Sequence, residues 1–473
     1  MTTFDLIVLG AGPAGAEAAI LAASRGLSVA LVDEEHAAGG QVYRAPAHGG
    51  LVKPDADAQA GTELRRRLAA GGVHCLFGAR TWHVERGFRL MAVSGHEAIE
   101  LNSRAMIVAT GAIERHCPFP GWTLPGVIGL AAATILLKAH RALPGKRIVV
   151  AGSGPLLPLV AVKALDLGAD VACVVDAARR RDWLAKLPTI VRSPGLALRG
   201  GGWMAKLARR RVPVLYGSAV RRAEGSKTVE KVVIGPVARD WSQIAGKEIT
   251  VAADALCVGF GLVPSTDATR LLGADHQFDR SRGGWTVITD HDGRTSVAAL
   301  YVCGDAAGVA GAAAAPHSGR LAALAAARDL DVLGNDDYRA LARRERTAAL
   351  AKGRFGFAMT ALATPKAGSW GWSDADTVIC RCEGVRRGAI EQAFAAGART
   401  IDDAKSATRC GMGPCGGRIC AEACGAILAE LGGCDCAVVG QATGRPPLRP
   451  VALDDIAGAF EYDQLPFPAP APL

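Results

Sequence analysis

The sequence predicts an α/β chain of two Rossmann-like nucleotide domains followed by a small cysteine-rich C-terminal module. Three observations predict it: a strand–glycine turn–helix–strand signature at the N-terminus, a second and imperfect signature beginning near residue 146, and eight of the 13 cysteines crowded into residues 380–436. At 473 residues the chain exceeds the roughly 250–300 at which a single core stops growing, so two or more domains are expected. Half of the residues are hydrophobic, 5% are aromatic and 58 are glycine. That mixture suits alanine-rich crossover helices packed closely on a parallel sheet and excludes a disordered polymer.

The first element is the N-terminal signature. Residues 4–10 read as a buried parallel strand running into Gly10-Ala-Gly12-Pro13-Ala14-Gly15, then a helix over 16–25 that Gly26 ends, then a strand over 27–32 that finishes at Asp33 and Glu34. Gly10 permits the tight turn, Gly12 lets the backbone approach a pyrophosphate, and Gly15 lets helix and strand pack closely. The helix N-terminus, just after Pro13 and Ala14 of the turn, presents unpaired N–H groups and a positive dipole end to phosphates. Asp33, 23 residues after Gly10, is placed to accept from a ribose hydroxyl, with Glu34 as its neighbour.

The second signature departs from that pattern. A strand over 146–151 leads into Gly152-Ser-Gly154-Pro-Leu-Leu157, so a leucine stands at the third glycine position. A side chain at that helix–strand contact should overpack, costing ~1–3 kcal/mol, or push the helix outward. The next strand, 170–175, ends at Asp176. The domain is expected to keep its shape and to have lost or changed its ligand; NAD(P) or another adenine nucleotide remains an open alternative.

The third element carries Cys380-Arg-Cys382 and, later, Cys410-Gly-Met-Gly-Pro-Cys415-Gly-Gly-Arg-Ile-Cys420. Thiolates are soft donors that suit iron clusters, and four of them close a [2Fe-2S] site. The 32 residues between Cys382 and Cys415 hold a helical pattern around 390–397, and the glycines near Cys415 would let backbone N–H groups turn toward cluster sulfides. Zinc can use four cysteines, but the paired CxxC knuckles of zinc sites are missing here. Cys424, Cys434 and Cys436 stay unassigned. Cys75, Cys117, Cys173, Cys257 and Cys303 are isolated and read as small buried hydrophobes, so no redox-active pair of the thioredoxin reductase type is expected.

The net charge of +9 favours an acidic partner or an anionic cofactor. Arg179-Arg180-Arg181 and Arg209-Arg210-Arg211 sit among polar turns and read as a solvated basic face; nucleic acid is not indicated. No signal peptide or ~18-residue apolar run is visible, so the chain is expected in the cytoplasm, with peripheral attachment at the inner membrane face left open.

Several segments resemble known families. Tyr301-Val-Cys-Gly304-Asp305 resembles the late strand of the flavoprotein disulfide reductase-like superfamily, where the aspartate holds the ribitol of FAD. Ala109-Thr110-Gly111 resembles its mid-chain strand, where the chain leaves the FAD domain, and Gly39-Gly40-Gln41 resembles the segment passing beside the flavin. The resemblance implies FAD at the first signature. The cysteine module resembles the ferredoxin domain of bacterioferritin-associated ferredoxin, which implies Cys380, Cys382, Cys415 and Cys420 as cluster ligands, with Cys410 a spare and the chief rival to Cys420. The stretch from Ala109 through Glu114, Arg115, Pro118, Pro120, Gly121, Trp122 and Pro125, with Gly39–Arg44 and Gly154–Leu157, resembles the α-type subunit of heteromeric amino-acid dehydrogenases. That group holds opine oxidases, dye-linked proline and hydroxyproline dehydrogenases, and hydrogen cyanide synthase.

This second resemblance implies an electron-transfer subunit served by an FAD-dependent β subunit that oxidises the amine. A downstream acceptor such as a quinone follows, and an FMN at the subunit interface stays open. The rival is a self-sufficient NAD(P)H-dependent flavin/iron–sulfur reductase. No catalytic base is assigned. His317 reads as a satisfied histidine near the flavin, and Arg44, Glu114 and Arg115 as an internal ion-pair set. The expected domains are FAD-binding at 1–120 and 285–335, a second Rossmann-like domain at 121–284, a connector at 336–374, the [2Fe-2S] domain at 375–460 and a tail at 461–473.

Overall fold

A computed structural model describes residues 2–44 and 56–457; the tail lies outside them. The N-terminal signature folds as read, into β1 (Thr2–Leu9), α1 (Pro13–Ser24) and β2 (Val29–Asp33). β1 pairs in parallel with β2 on one side and with Glu97–Val108 on the other, and His74–Phe77 extends the sheet beyond β2. Leu6, Ile7 and Val8 are 0% exposed, as a strand covered on both faces requires. Strand Glu97–Val108 is long enough to serve two partners on one flank. Its first half pairs antiparallel with Arg89–Ser94, and its end pairs in parallel with Leu300–Val302. That late strand delivers Gly304 and Asp305 to the carboxyl end of β1, where open α/β sheets hold ligands.

The second signature gives β3 (Arg147–Gly152), α2 (Leu156–Asp166) and β4 (Asp170–Asp176). They belong to a five-stranded parallel sheet ordered Val214–Tyr216, β4, β3, Ala255–Gly259, Val127–Gly129. Leu157 is 1% exposed and lies in the core between α2 and the sheet, together with Ile148, Val150 and Val160. The domain absorbs the leucine as ordinary core.

Two chain crossings link the sheets. Ala112–Glu114 pairs antiparallel with Leu262–Pro264, and the Thr110 hydroxyl donates to the Ser265 carbonyl at 3.0 Å. Gly284–Val287 forms a hairpin strand with His276–Asp279, so the boundary expected between 284 and 285 falls inside a strand.

Most of the connector expected at 336–374 is a 29-residue helix, α3 (Asn335–Ala363). Beyond it Trp372 stacks on Trp241 and donates to that residue's carbonyl at 2.7 Å. The C-terminal module has a short strand pair, Val378–Cys380 with Val385–Arg386, three longer helices, Arg387–Ala395, Ile401–Thr408 and Ala421–Gly432, and the single turns Cys436–Val439 and Leu453–Ile456. Among the described residues no helix is long and apolar enough to cross a membrane.

Candidate flavin and iron–sulfur sites

The first glycine turn has the geometry that its residue types require. Gly10 has φ +103°, and a Cβ there would stand 2.5 Å from the Ala109 carbonyl oxygen; a Cβ on Gly15 would stand 1.8 Å from that of Gly10. A Cβ on Gly12, by contrast, would meet nothing within 4 Å, so the backbone at the start of α1 faces open space. Gly40 and Gly304 close around this turn: a Cβ on either would press on Gly12 or on Ala14, at 2.9 and 2.8 Å. A helix N-terminus with free room in front of it fits a pyrophosphate.

A cleft beside the turn is lined by Gly10, Asp33, Glu34, Ala79, Thr110 and Arg449, among others. The Asp33 carboxylate accepts from the backbone N–H groups of Ala11 and Glu35, and burial pushes its pKa up. Asp33 therefore ties the turn to β2 from the cleft wall. Asp305 accepts through one oxygen from the N–H groups of Ala310 and Gly311, at 3.0 and 2.8 Å, and burial raises it too. Gly111, with φ +70°, is the flexible step beside Thr110. Gln41 is exposed.

Among the cysteines, the thiols of Cys380, Cys410 and Cys420 are buried and lie within 4.8 Å of one another. Cys382 stands close enough to Cys415 and Cys380 to interact with them, and Cys415 close enough to Cys420. A Cβ on Gly413 would stand 2.2 Å from that of Cys382, so the glycine loop closes directly over this thiol. Three buried thiols in one place, with the exposed Cys382 and half-buried Cys415 beside them, fit an iron cluster. The structure brings Cys410 into the group, where the sequence treats it as a spare.

A family model described as pyridine nucleotide-disulphide oxidoreductase matches residues 4–328. The chain belongs to that family. A second model, described as a BFD-like [2Fe-2S] binding domain, matches residues 378–430 of this oxidoreductase. It is 35% identical to an opine oxidase subunit of Agrobacterium tumefaciens over 96% of this chain and 91% of that protein. It is 32% identical to hydrogen cyanide synthase subunit HcnB of Pseudomonas protegens over 94% and 96%. A crystal structure of L-proline dehydrogenase from P. horikoshii shares the fold, with a TM-score of 0.70 at 20% identity, covering 97% of this chain and 80% of that one. The oxidoreductase thus carries a flavin-binding domain and a [2Fe-2S] domain.

Its second glycine turn is closed. A Cβ on Gly154 would lie 2.9 Å from that of Ala363, and the Ser153 hydroxyl donates to the Leu362 carbonyl at 3.3 Å. Met359 and Leu362 bury themselves against Ala178, with Trp183 and Ile190 packed around them. Asp176, where a ribose partner would stand, accepts from the Trp183 indole at 2.8 Å and from the Ala178 N–H at 2.9 Å; burial pushes it up to about 7. The C-terminal end of α3 covers the turn.

Two expectations need correction, and one about His317 does not. Arg44, Glu114 and Arg115 do not form one ion-pair set. Arg44 pairs with Glu35, Glu114 accepts from the Ala131 N–H at 2.9 Å, and Arg115, 2% exposed, pairs with Glu422 at 2.8 Å. His317 is ion-paired with Glu345 of α3 at 2.7 Å, as a satisfied histidine. The cleft beside the first glycine turn is not separated from the cysteine loop as their different domains suggest. Arg418, between Cys415 and Cys420, lines the cleft beside the first glycine turn, pairs with Asp267 at 2.7 Å and donates to the Cys415 carbonyl at 2.9 Å. Sequence reasoning missed Arg418 and Arg449, because neither lies in a nucleotide motif. The isolated thiols behave as expected: burial pushes Cys257 and Cys303 up to about 12.

Proposed function

We propose that this chain is the electron-transfer subunit of an amino-acid or opine dehydrogenase complex. It takes electrons from amine oxidation on an FAD-dependent β subunit, then passes them to a downstream acceptor. The observation that carries the reading is the contrast between an open first glycine turn and a second one covered by Ala363. A chain that can seat a flavin but has its second nucleotide turn filled by its own helix needs another source of electrons. The relatives' names, each that of one subunit, support a partner as that source.

Bound FAD and the cluster would supply the two-electron and one-electron chemistry. The chain's own residues hold and orient: Gly12, Pro13 and Ala14 would seat the pyrophosphate, with Gly10, Gly15, Gly40 and Gln41 shaping the approach. Asp33, Glu34, Thr110, Gly111, Gly304 and Asp305 line the remainder of the site. For the cluster we assign Cys380, Cys382, Cys415 and Cys420, with Cys410 packed against them as a non-ligand. The test of that set is replacement one at a time. Cys420→Ser is expected to lose the cluster and Cys410→Ser to keep it; the reverse result would exchange the two.

The functional test is anaerobic absorbance and EPR on the purified chain. NADH alone is expected to leave flavin and cluster oxidised, whereas a co-expressed β subunit with an amine substrate reduces both. Reduction by NADH alone would make the chain an autonomous reductase and overturn the reading.

A further inference from the structure

Residues 179–211 contain ten lysines and arginines against one aspartate, the whole of the chain's net +9; the remaining residues carry 44 basic and 44 acidic groups and cancel. This segment forms three consecutive helices, Arg180–Leu184, Leu187–Val191 and Pro194–Arg209. Most of its charges sit on or at the ends of these helices, with Arg210 and Arg211 in the turn that follows the last one. Of the 14 large hydrophobic side chains exposed among the described residues, four fall between 184 and 198: Leu184 at 59%, Leu187 at 45%, Val191 at 69% and Leu198 at 80%. Trp183 and Trp203 are half-buried beside them.

We propose that this helical segment is a docking face for a negatively charged lipid bilayer. The inner side of the segment is anchored, since Leu207 is core and Trp183 and Ile190 pack on Met359 and Leu362 of α3. The outer side therefore displays its leucines on a supported platform. Arg180, Arg181, Arg192, Arg209, Arg210 and Arg211 are exposed, apart from Arg180 stacking on Tyr216, and none has an ion-pair partner among the described residues. Arginine mixed with exposed leucine, flanked by tryptophan, is the composition of helices that lie in a lipid interface. Protein–protein interfaces are also enriched in arginine and tryptophan, but their cores are depleted of charge overall, so it is the number of unpaired guanidinium groups beside the leucines that favours a bilayer here. A bilayer matches both halves of the pattern: headgroup phosphates attract the guanidinium groups while the leucines enter the acyl boundary. This inference is independent of where the electrons come from.

The test is co-sedimentation of the full-length, cofactor-loaded chain with vesicles of phosphatidylcholine alone or mixed with phosphatidylglycerol. Binding is expected on the anionic vesicles, and at least about tenfold weaker on neutral ones or at ~1 M salt, where screening is within ~3 Å. The triple change Arg209→Gln, Arg210→Gln, Arg211→Gln should weaken binding about tenfold, the direction expected for lost surface cations. Leu184→Ser, Leu187→Ser, Val191→Ser and Leu198→Ser together should weaken it similarly, with flavin content, cluster spectrum and melting temperature unchanged. If the quadruple variant melts early, Leu198→Ser alone carries the test. Failure of the wild-type chain to bind anionic vesicles, or equal binding by all variants, would overturn the proposal. So would a co-expressed subunit captured by the wild type and lost by the leucine variants while vesicles go unbound, which would make the face a subunit interface.

Discussion

The two glycine turns of this chain share a strand–turn–helix–strand order and differ in backbone, Gly12 at φ −62° against Gly154 at φ +104°, and in what stands in front of them. At each, the acid ending the following strand accepts from the backbone N–H two residues on: Asp33 from Glu35 and Asp176 from Ala178. Yet a Cβ on Gly12 would find nothing within 4 Å, whereas one on Gly154 would meet Ala363 at 2.9 Å. The second acid is also capped by the Trp183 indole. The glycine pattern thus dictates a turn, and a helix from nearly 200 residues downstream decides whether that turn has room for a ligand. Where the first turn opens on a cleft, the second is packed as core.

The largest effect on cofactor binding that would sharpen this contrast is expected from Gly12→Val. Gly12 has φ −62° and ψ 178°, which any residue adopts, so the fold should survive. The new side chain would fill the pyrophosphate position and weaken flavin at least ~100-fold, about 2.8 kcal/mol. The flavin-to-protein absorbance ratio measures this, and a normal ratio would misplace the cofactor.

Next is the double change Met359→Ala and Leu362→Ala, which removes side chains 4% and 5% exposed. Each should cost about 2–5 kcal/mol in a denaturant titration. NADH should still fail to bleach the flavin, because Asp176 remains committed to Trp183. Bleaching in this variant would show that α3 alone closes a competent site.

Leu157→Ala should cost about 2–5 kcal/mol for the same reason and bring no nucleotide binding; a stability gain would mean the leucine strains the domain after all.

The smallest effect concerns the crossing between the two sheets. Burial raises Glu114 to about 7 from an ordinary 4.5. Its folded form holds the proton more tightly than the unfolded chain does. This group's cost to stability is therefore absent below its unfolded value, grows as pH rises from 4.5, and is complete above about 7. Glu114→Gln should flatten that part of the melting-temperature profile between roughly pH 5 and 8, by about 1–3 kcal/mol at the alkaline end. An unchanged profile would assign the pH dependence to other groups, Asp176 first.

Much of this arrangement is legible in the sequence because it rests on local rules. The glycine spacing identifies β1, α1 and β2, and the leucine at 157 marks the second turn as altered. The C-x-C and G-M-G-x-C motifs locate the cluster module. What stays hidden requires side chains from distant segments to meet. Arg418 reads as a cluster-loop residue yet reaches the cleft beside the first glycine turn, and Cys410 reads as a spare yet stands with Cys380 and Cys420. The basic runs read as solvated turns because helical display of the intervening leucines depends on which side faces α3.

By itself, then, the sequence determined the two Rossmann-like turns and the soft-donor module, since glycine conformation, strand burial and thiolate chemistry act over a few neighbouring residues. Only the tertiary structure decided that the first turn is open and the second shut, and that one arginine joins the cleft beside the first turn to the cysteine loop. Those outcomes depend on where α3 and the C-terminal module dock. Docking sums many weak long-range contacts, such as Arg115 with Glu422 and Trp372 with Trp241, that no local spacing encodes.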